Sequence, residues 1–589
     1  MFEVKDSFYL NNKPFKVISG ALHYFRTLPG YWEDRLKKLK AMGCNTVETY
    51  IPWNFHEPKK GEFHWDGMRD ICRFIEIAEE IGLYMIIRPS PYICSEWEFG
   101  GLPAWLLKDR NMRLRCCYKP YLDHVSDYYD VLIPKLVPYQ ADKGGNIILL
   151  QIENEYGYYG DDTAYLEFLR DKMRSLGITV PFITSDGPWN KSVFKAGCVE
   201  GALPTGNFGS SCEWQFGELK KLIGDNNPLM CTEFWVGWFD FWGSGEHKTS
   251  DLEKNKVDLD YMLSKGNVNF YMFLGGTDFG FMNGSNYDEK LTPDVTSYDY
   301  DAPLTEDGRL TEKYLAFREI IGKYNTLPPI YDPEIKRADF GKVKVNEKTD
   351  LFSVLDSIAD PIITPYPLSM EETDQDTGYI LYRTKMKPDE TVEEIRFDGA
   401  NDRINAYENQ VHIFTAYDKE LQNTQKISSK ASGAVYDFLV ENMGRVNFGH
   451  LLEEQRKGIT KALCVNTHRH FGFEIYNLPF DEKQLEKLDF SKGYKENVPA
   501  FYKLEFEATD PADTFVDMTG FGKGCVFING FNLGRFWEIG PQKSLYLPAP
   551  LLKKGTNTLI IFETEGKSAD NVCLAKDPAP YSNIRNFAL

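Results

Sequence analysis

The sequence predicts an α/β protein: a (β/α)8 TIM barrel over residues 1–327, followed by two all-β regions of sandwich or jelly-roll type over 336–487 and 488–589. Three observations predict it. Apolar strand patterns alternate with amphipathic helix patterns eight times up to about residue 325, the rhythm of a closed parallel barrel with helices outside. The stretch Leu327-Pro-Pro-Ile-Tyr-Asp-Pro333 then stiffens the chain, since each proline fixes its own φ. Beyond it, helical periodicity fades into short alternating strands divided by turns.

In order, a hairpin turning at Asn11-Asn12 opens the chain, and barrel strands are expected at 17–21, 46–50, 84–88, 147–152, 182–184, 201–206, 229–234 and 270–274. The sixth is the weakest pattern. The fourth is the clearest: Ile147 to Leu150 is a wholly apolar run opened by Gly144-Gly145, as in a strand buried on both faces. Helices are expected at 31–42, 68–81, 121–136, 163–176, 217–223, 250–263 and 312–324, several ending at a glycine (Gly43, Gly82, Gly177, Gly266) suited to a left-handed cap. Later strands are expected at 351–355, 379–384, 394–397 and 410–414, with Asn529-Gly530 as a hairpin turn near the end.

The net charge of −20 disfavours nucleic acid and anionic membranes as partners and favours a neutral one. No run of about twenty apolar residues occurs. MFEVKDSFYL lacks the basic patch and apolar core of a secretory leader, so a cytosolic protein is expected. Eleven scattered cysteines without a CxxC pair suit reduced thiols. Nine histidines, of which only His468 and His470 are close, form no metal constellation, and no GxGxxG follows the first strand. No metal or organic cofactor is expected.

The fourth strand delivers Glu153, Asn154 and Glu155 to its far end, and the seventh delivers Glu233. In a closed eight-stranded barrel these two ends face each other across the mouth, where barrels carry their chemistry. Two carboxylates facing across a pocket can hydrolyse a glycosidic bond: one protonates the leaving oxygen, the other attacks the anomeric carbon or activates water. Tyr50, Trp53, Tyr92, Trp97, Tyr156, Trp235, Trp238, Trp242, Tyr298 and Tyr300 all fall after predicted strands. That concentration suits a sugar, whose CH faces stack on aromatic rings.

Five stretches carry a resemblance over essentially the whole chain: Glu48-Thr-Tyr-Ile-Pro-Trp-Asn-Phe-His-Glu-Pro58, Arg88-Pro-Ser-Pro-Tyr-Ile-Cys-Ser-Glu-Trp97, Gln151-Ile-Glu-Asn-Glu-Tyr-Gly157, Thr232-Glu-Phe-Trp-Val-Gly-Trp238 and Thr296-Ser-Tyr-Asp-Tyr-Asp-Ala-Pro-Leu304. The sequence resembles glycoside hydrolase family 35, the β-galactosidases, and its intracellular bacterial members in particular. The resemblance implies a retaining exo-β-galactosidase acting on galactose-terminated oligosaccharides or glycans, with Glu155 as acid/base and Glu233 as nucleophile. It implies that Asn154 bonds the sugar 2-hydroxyl, that Tyr50, the backbone of Cys94 and Ser95, Glu96 and Tyr300 hold the other hydroxyls, and that Tyr300 also bonds the nucleophile. Trp235, Trp238 and Trp242 would form a platform for the leaving sugar, reached by Phe448 from the first all-β region, and some members prefer β-1,3 linkages. A homodimer follows by analogy with such enzymes. The last region would be galactose-binding-like, although its aromatic strand 531–537 also suits packing against the barrel.

The sequence departs from the family pattern at Asn146 (usually proline), at Ser90 and Ser95 (usually Gly and Ala) and at Asp278 in Gly276-Thr-Asp-Phe-Gly280 (usually Asn). The alternatives are a β-glucosidase or β-glucosaminidase of the same mechanism, and a carbohydrate-binding barrel without catalysis. For Glu96 the alternative is a structural ion pair with Arg88.

Overall fold

The computed structural model describes every residue except 90, 389, 430–431, 582 and 587–589, so Ser90 lies outside the described residues. Eight parallel strands close into a barrel: Ile18–Leu22, Thr46–Tyr50, Tyr84–Arg88, Ile147–Gln151, Phe182–Asp186, Ala202–Phe208, Met230–Trp235 and Asn267–Leu274. They follow the chain around the ring, the eighth pairing with both the first and the seventh. The weak sixth pattern is thus a full strand. Its Pro204 and Gly206 blur the apolar run, but neighbours on both sides supply the burial.

Ile147, Ile148, Leu149 and Leu150 are fully buried, each burial contributing about 1.5–3 kcal/mol. Helices such as Pro29–Met42 and Ile71–Ile81 pack outside and end on Gly43 and Gly82, both left-handed (φ 107° and 81°). Gly266 differs, with φ −162°. Glycine is needed there for want of room: a Cβ would lie 2.5 Å from the Leu229 carbonyl oxygen.

The N-terminal strands Phe2–Val4, Phe8–Leu10 and Lys13–Pro14 form a small sheet whose Phe2 and Phe8 pack with Ile86, Ile148, Ile183 and Met230, the strand residues at one end of the barrel. That end is plugged. The opposite end, where the strands finish, is left for the site.

The all-β part departs from the expected division. Strand Gly341–Asp350, on the 336–487 side of the expected boundary, pairs with Ala500–Ala508 and Asn571–Ala575. It is an inner strand of an eight-stranded sheet otherwise drawn from residues beyond 499. The next segment, expected as a strand at 351–355, is the helix Leu351–Ile358. Asp350 caps it, accepting from Ser353 N–H at 3.0 Å, and its apolar positions 351, 354, 355 and 358 have helical spacing. Between these lie a six-stranded and a four-stranded sheet, with Ile380, Tyr382, Ile395, Ile404, Phe438 and Leu463 in their shared core.

That region is clamped to the barrel. Arg445 donates to Glu98 and Glu371, and Tyr92 donates its hydroxyl proton to the Asn447 carbonyl. The clamp carries Phe448 to the barrel mouth.

Candidate active site

A pocket of about 270 Å³ opens at the strand ends, lined by Tyr50, Cys94, Ser95, Glu96, Asn154, Glu155, Glu233, Trp235, Trp238 and Tyr300, the expected site residues apart from Trp242. Tyr158, Trp189, Phe239, Tyr271, Asn286 and Phe448 complete its wall.

The two acids have contrasting surroundings. Glu233 receives the Tyr50 hydroxyl at 2.8 Å, Arg88 Nη2 at 2.7 Å and Trp235 Nε1 at 3.0 Å. Three donors, one of them a guanidinium, make a seat for an anion. Glu155, left-handed at φ 44°, receives one neutral side-chain donor among the described residues, Asn207 Nδ2, at 3.2 Å. Enclosure by protein, and then the nearby charge of Glu233, push the Glu155 carboxyl up to about 8. Near neutral pH it therefore holds a proton, as a general acid must.

Arg88 organises the floor. Besides Glu233 it donates Nε to Gln151 Oε1 and Nη2 to Asn154 Oδ1, both at 2.7 Å. Asn154 Oδ1 also accepts from Gln151 Nε2 at 3.0 Å and lies 2.8 Å from the Tyr50 hydroxyl, which has one proton to share between it and Glu233. With its oxygen so occupied, Asn154 also lines the pocket. Behind it Arg115 grips Glu153 through Nε and Nη2, at 3.0 and 2.9 Å, so Glu153 supports the segment and does not reach the pocket.

Glu96 lines the pocket as expected and the alternative ion pair with Arg88 does not form: it accepts from the Tyr298 hydroxyl, and burial raises its carboxyl to about 7. Arg88 is drawn to the strand-end acids instead. Two expectations are corrected. Tyr300 lines the pocket, but among the described residues the side chains that donate to Glu233 are Tyr50, Arg88 and Trp235. Trp242 is buried away from the pocket, its backbone bonded to Pro293.

The other expected aromatics, Trp235, Trp238 and Phe448, line one wall of the pocket. Ring centroids step from Phe448 to Tyr158 (5.9 Å), Trp189 (6.2 Å), Trp235 (6.0 Å) and Trp238 (5.6 Å). Trp189 and Phe448, 40% and 36% exposed, stand at its rim. Sequence reasoning missed Trp189, although Gly187-Pro188 after the fifth strand is a turn signal placing it at the mouth. It also missed Asn207, where nothing local marks an amide of the weak sixth strand as a partner of Glu155. Among the described residues no group of three His, Cys, Asp or Glu gathers as a metal site would require.

Comparison with known proteins agrees with this geometry. The family profile "Glycosyl hydrolases family 35" matches residues 7–324, "Beta-galactosidase, first all-beta domain" matches 367–479, and "Beta-galactosidase, galactose-binding domain" matches 499–557. Beta-galactosidase-1-like protein 2 of Homo sapiens is 40% identical over 575 residues, covering 95% of this chain and 88% of that protein. The beta-galactosidase of Mus musculus is 38% identical over 595 residues, covering 95% and 91%; that of Homo sapiens is 37% identical over 622 residues, covering 98% and 89%. A profile spanning the whole barrel, relatives aligned almost end to end, and an opposed pair of acids at its fourth and seventh strands lead to one conclusion: the chain belongs to the glycosyl hydrolases of family 35.

Proposed function

We propose that this protein is a retaining exo-β-galactosidase that removes terminal β-D-galactose from oligosaccharides or glycans. The observation that carries the reading is the contrast within the acid pair: Glu155 held protonated up to about pH 8, Glu233 seated among three donors. Glu233 attacks the anomeric carbon while Glu155 passes its proton to the leaving oxygen. Glu155, now a carboxylate, takes a proton from water as the water displaces Glu233. The Asn154 NH2 meets the sugar 2-hydroxyl, a contact that strengthens in the oxocarbenium-like transition state.

The aromatic crescent from Phe448 to Trp238 supports a second sugar as leaving group. We take that sugar to be an N-acetylhexosamine in β-1,3 linkage, its ring face and acetamide methyl lying on the crescent. A cytosolic setting is part of the reading, supported by eleven cysteines that are all unpaired.

Hydrolysis of aryl β-galactoside, β-glucoside, β-N-acetylglucosaminide and β-mannoside, with the first-formed anomer read by proton NMR, tests the proposal. Preferred release of β-galactose is expected. An α-anomer appearing first, or a glucoside preferred, would overturn it. Comparing β-1,3-, β-1,4- and β-1,6-linked galactosyl-N-acetylglucosamine then decides the linkage.

A further inference from the structure

Cys94, Ser95 and Glu96, consecutive on the pocket wall, have φ of 59°, 59° and 47°. A non-glycine residue in this left-handed region is strained by about 1–3 kcal/mol, and three in a row approach a turn of left-handed helix, which L-residues avoid. Two backbone bonds hold it, Trp97 N–H to the Cys94 carbonyl at 3.2 Å within the turn and Gly284 N–H to the Glu96 carbonyl at 2.8 Å from outside; neither reaches Ser95. These alone do not offset the strain.

Behind the turn lies Arg26, buried after the first barrel strand. Its Nη2 donates to the Ser95 carbonyl and Nη1 to Ser95 Oγ at 2.8 Å. Nη1 also meets His23 Nδ1 at 2.8 Å; burial, followed by the charges of Arg26 and Arg88, holds that imidazole neutral and able to accept. Nε donates to Asp278 Oδ1 at 2.6 Å, an ion pair with both side chains fully buried. The guanidinium lies 3.8 Å from the centre of the Tyr298 ring, and the Tyr298 hydroxyl donates to Glu96. One cation thus grips Ser95 directly and braces Glu96 through a tyrosine. Ser95 and Asp278, two of the departures from the family pattern, are both its partners.

We infer that Arg26, anchored by Asp278, is the positioning residue for the 94–96 turn, and that this assembly sets how sharply the pocket distinguishes one pyranose from another. Arg26 touches no substrate. It acts by keeping the turn's backbone and the Glu96 carboxylate in one arrangement, so that a sugar lacking the matching hydroxyl leaves a buried polar group unpaired. The inference rests on the galactosidase reading above and adds which residues make the site selective.

The test uses aryl β-galactoside and its 3-, 4- and 6-deoxy analogues with the wild type and with Arg26→Lys, Asp278→Asn and Ser95→Ala. In the wild type, loss of a hydroxyl held by the turn is expected to lower kcat/KM at least about 100-fold. In Arg26→Lys that penalty should shrink about tenfold, with KM for the parent galactoside rising more than kcat falls, because a lysine cannot make the same forked contacts. In Asp278→Asn and Ser95→Ala it should shrink by about threefold, and the two changes should be non-additive, since both act through Arg26. Should Arg26→Lys not fold, the Asp278→Asn and Ser95→Ala cycle still decides. Deoxy penalties that stay at wild-type values while all substrates slow together, or an additive cycle, would overturn the inference and leave the galactosidase reading standing. A wild type that turns over no galactoside would overturn both.

Discussion

Two buried arginine–glutamate pairs lie side by side under the barrel mouth and do different things. In Arg115–Glu153 the carboxylate is fully buried and saturated: the forked guanidinium, the Tyr165 hydroxyl at 2.9 Å and the Asn154 N–H at 2.6 Å occupy both oxygens. In Arg88–Glu233 the guanidinium makes one bond to the acid, gives Nε to Gln151 and shares Nη2 with Asn154, and turns Nη1 toward Glu48 at 3.8 Å, while the acid opens on the pocket. A buried ion pair is a brace when every lone pair is taken. It becomes a reagent when one face is left for the substrate.

Three substitutions can break or sharpen that distinction. The largest effect is expected for Glu233→Gln, which leaves the fold intact and lowers kcat on aryl galactosides at least about 10⁴-fold; residual activity within tenfold of wild type would remove Glu233 from its role. Next comes Glu153→Gln. Leaving the buried Arg115 without its partner costs about 3–5 kcal/mol of stability, to be read as a lower urea midpoint, with kcat of the folded protein changed far less than in Glu233→Gln. A loss of kcat matching that of Glu233→Gln would make the brace a reagent. The smallest is Glu155→Gln with an activated leaving group. Losses of about 10²- to 10⁴-fold are expected when the leaving group needs protonation, and much less when it is a weakly basic phenolate. The acid is useful only while protonated, so wild-type kcat/KM should fall as pH rises through about 8. That alkaline limb should vanish in the variant, and its persistence would assign it to another group.

How much of this was legible depended on where each interaction is encoded. The barrel and its acids were, because Ile147 to Leu150 announces a buried strand and Asn154-Glu155 follows at once, and strand count alone sets Glu233 opposite. Arg88 stands in the third strand, but nothing local says whether it turns to Glu96 or Glu233; that follows from how the barrel closes. Trp242 sits within four residues of Trp238, yet one faces the pocket and the other the interior, a choice made by the path of the loop. The helix Leu351–Ile358 could have been read from its spacing and its Asp350 cap. Its apolar, β-branched content resembles a strand, and the β-rich surroundings tilted the reading. That Gly341–Asp350 joins a sheet whose other members lie beyond residue 499 has no local signature at all.

That early strand also sets a timetable for biosynthesis. Its partner Ala500–Ala508 emerges from the ribosome about 150 residues later, a wait of roughly 8–30 s at ordinary elongation rates. Until then a ten-residue edge stands open to any other nascent chain. Its own composition guards it: Gly-Lys-Val-Lys-Val-Asn-Glu-Lys-Thr-Asp carries three lysines and two acids, which oppose pairing with foreign strands, and the lysines and Glu347 stay exposed once the true neighbours arrive, while Asp350 is buried as the cap of the next helix. The barrel, complete before this strand is made, can fold without it; the distal sheet closes only when synthesis is nearly over.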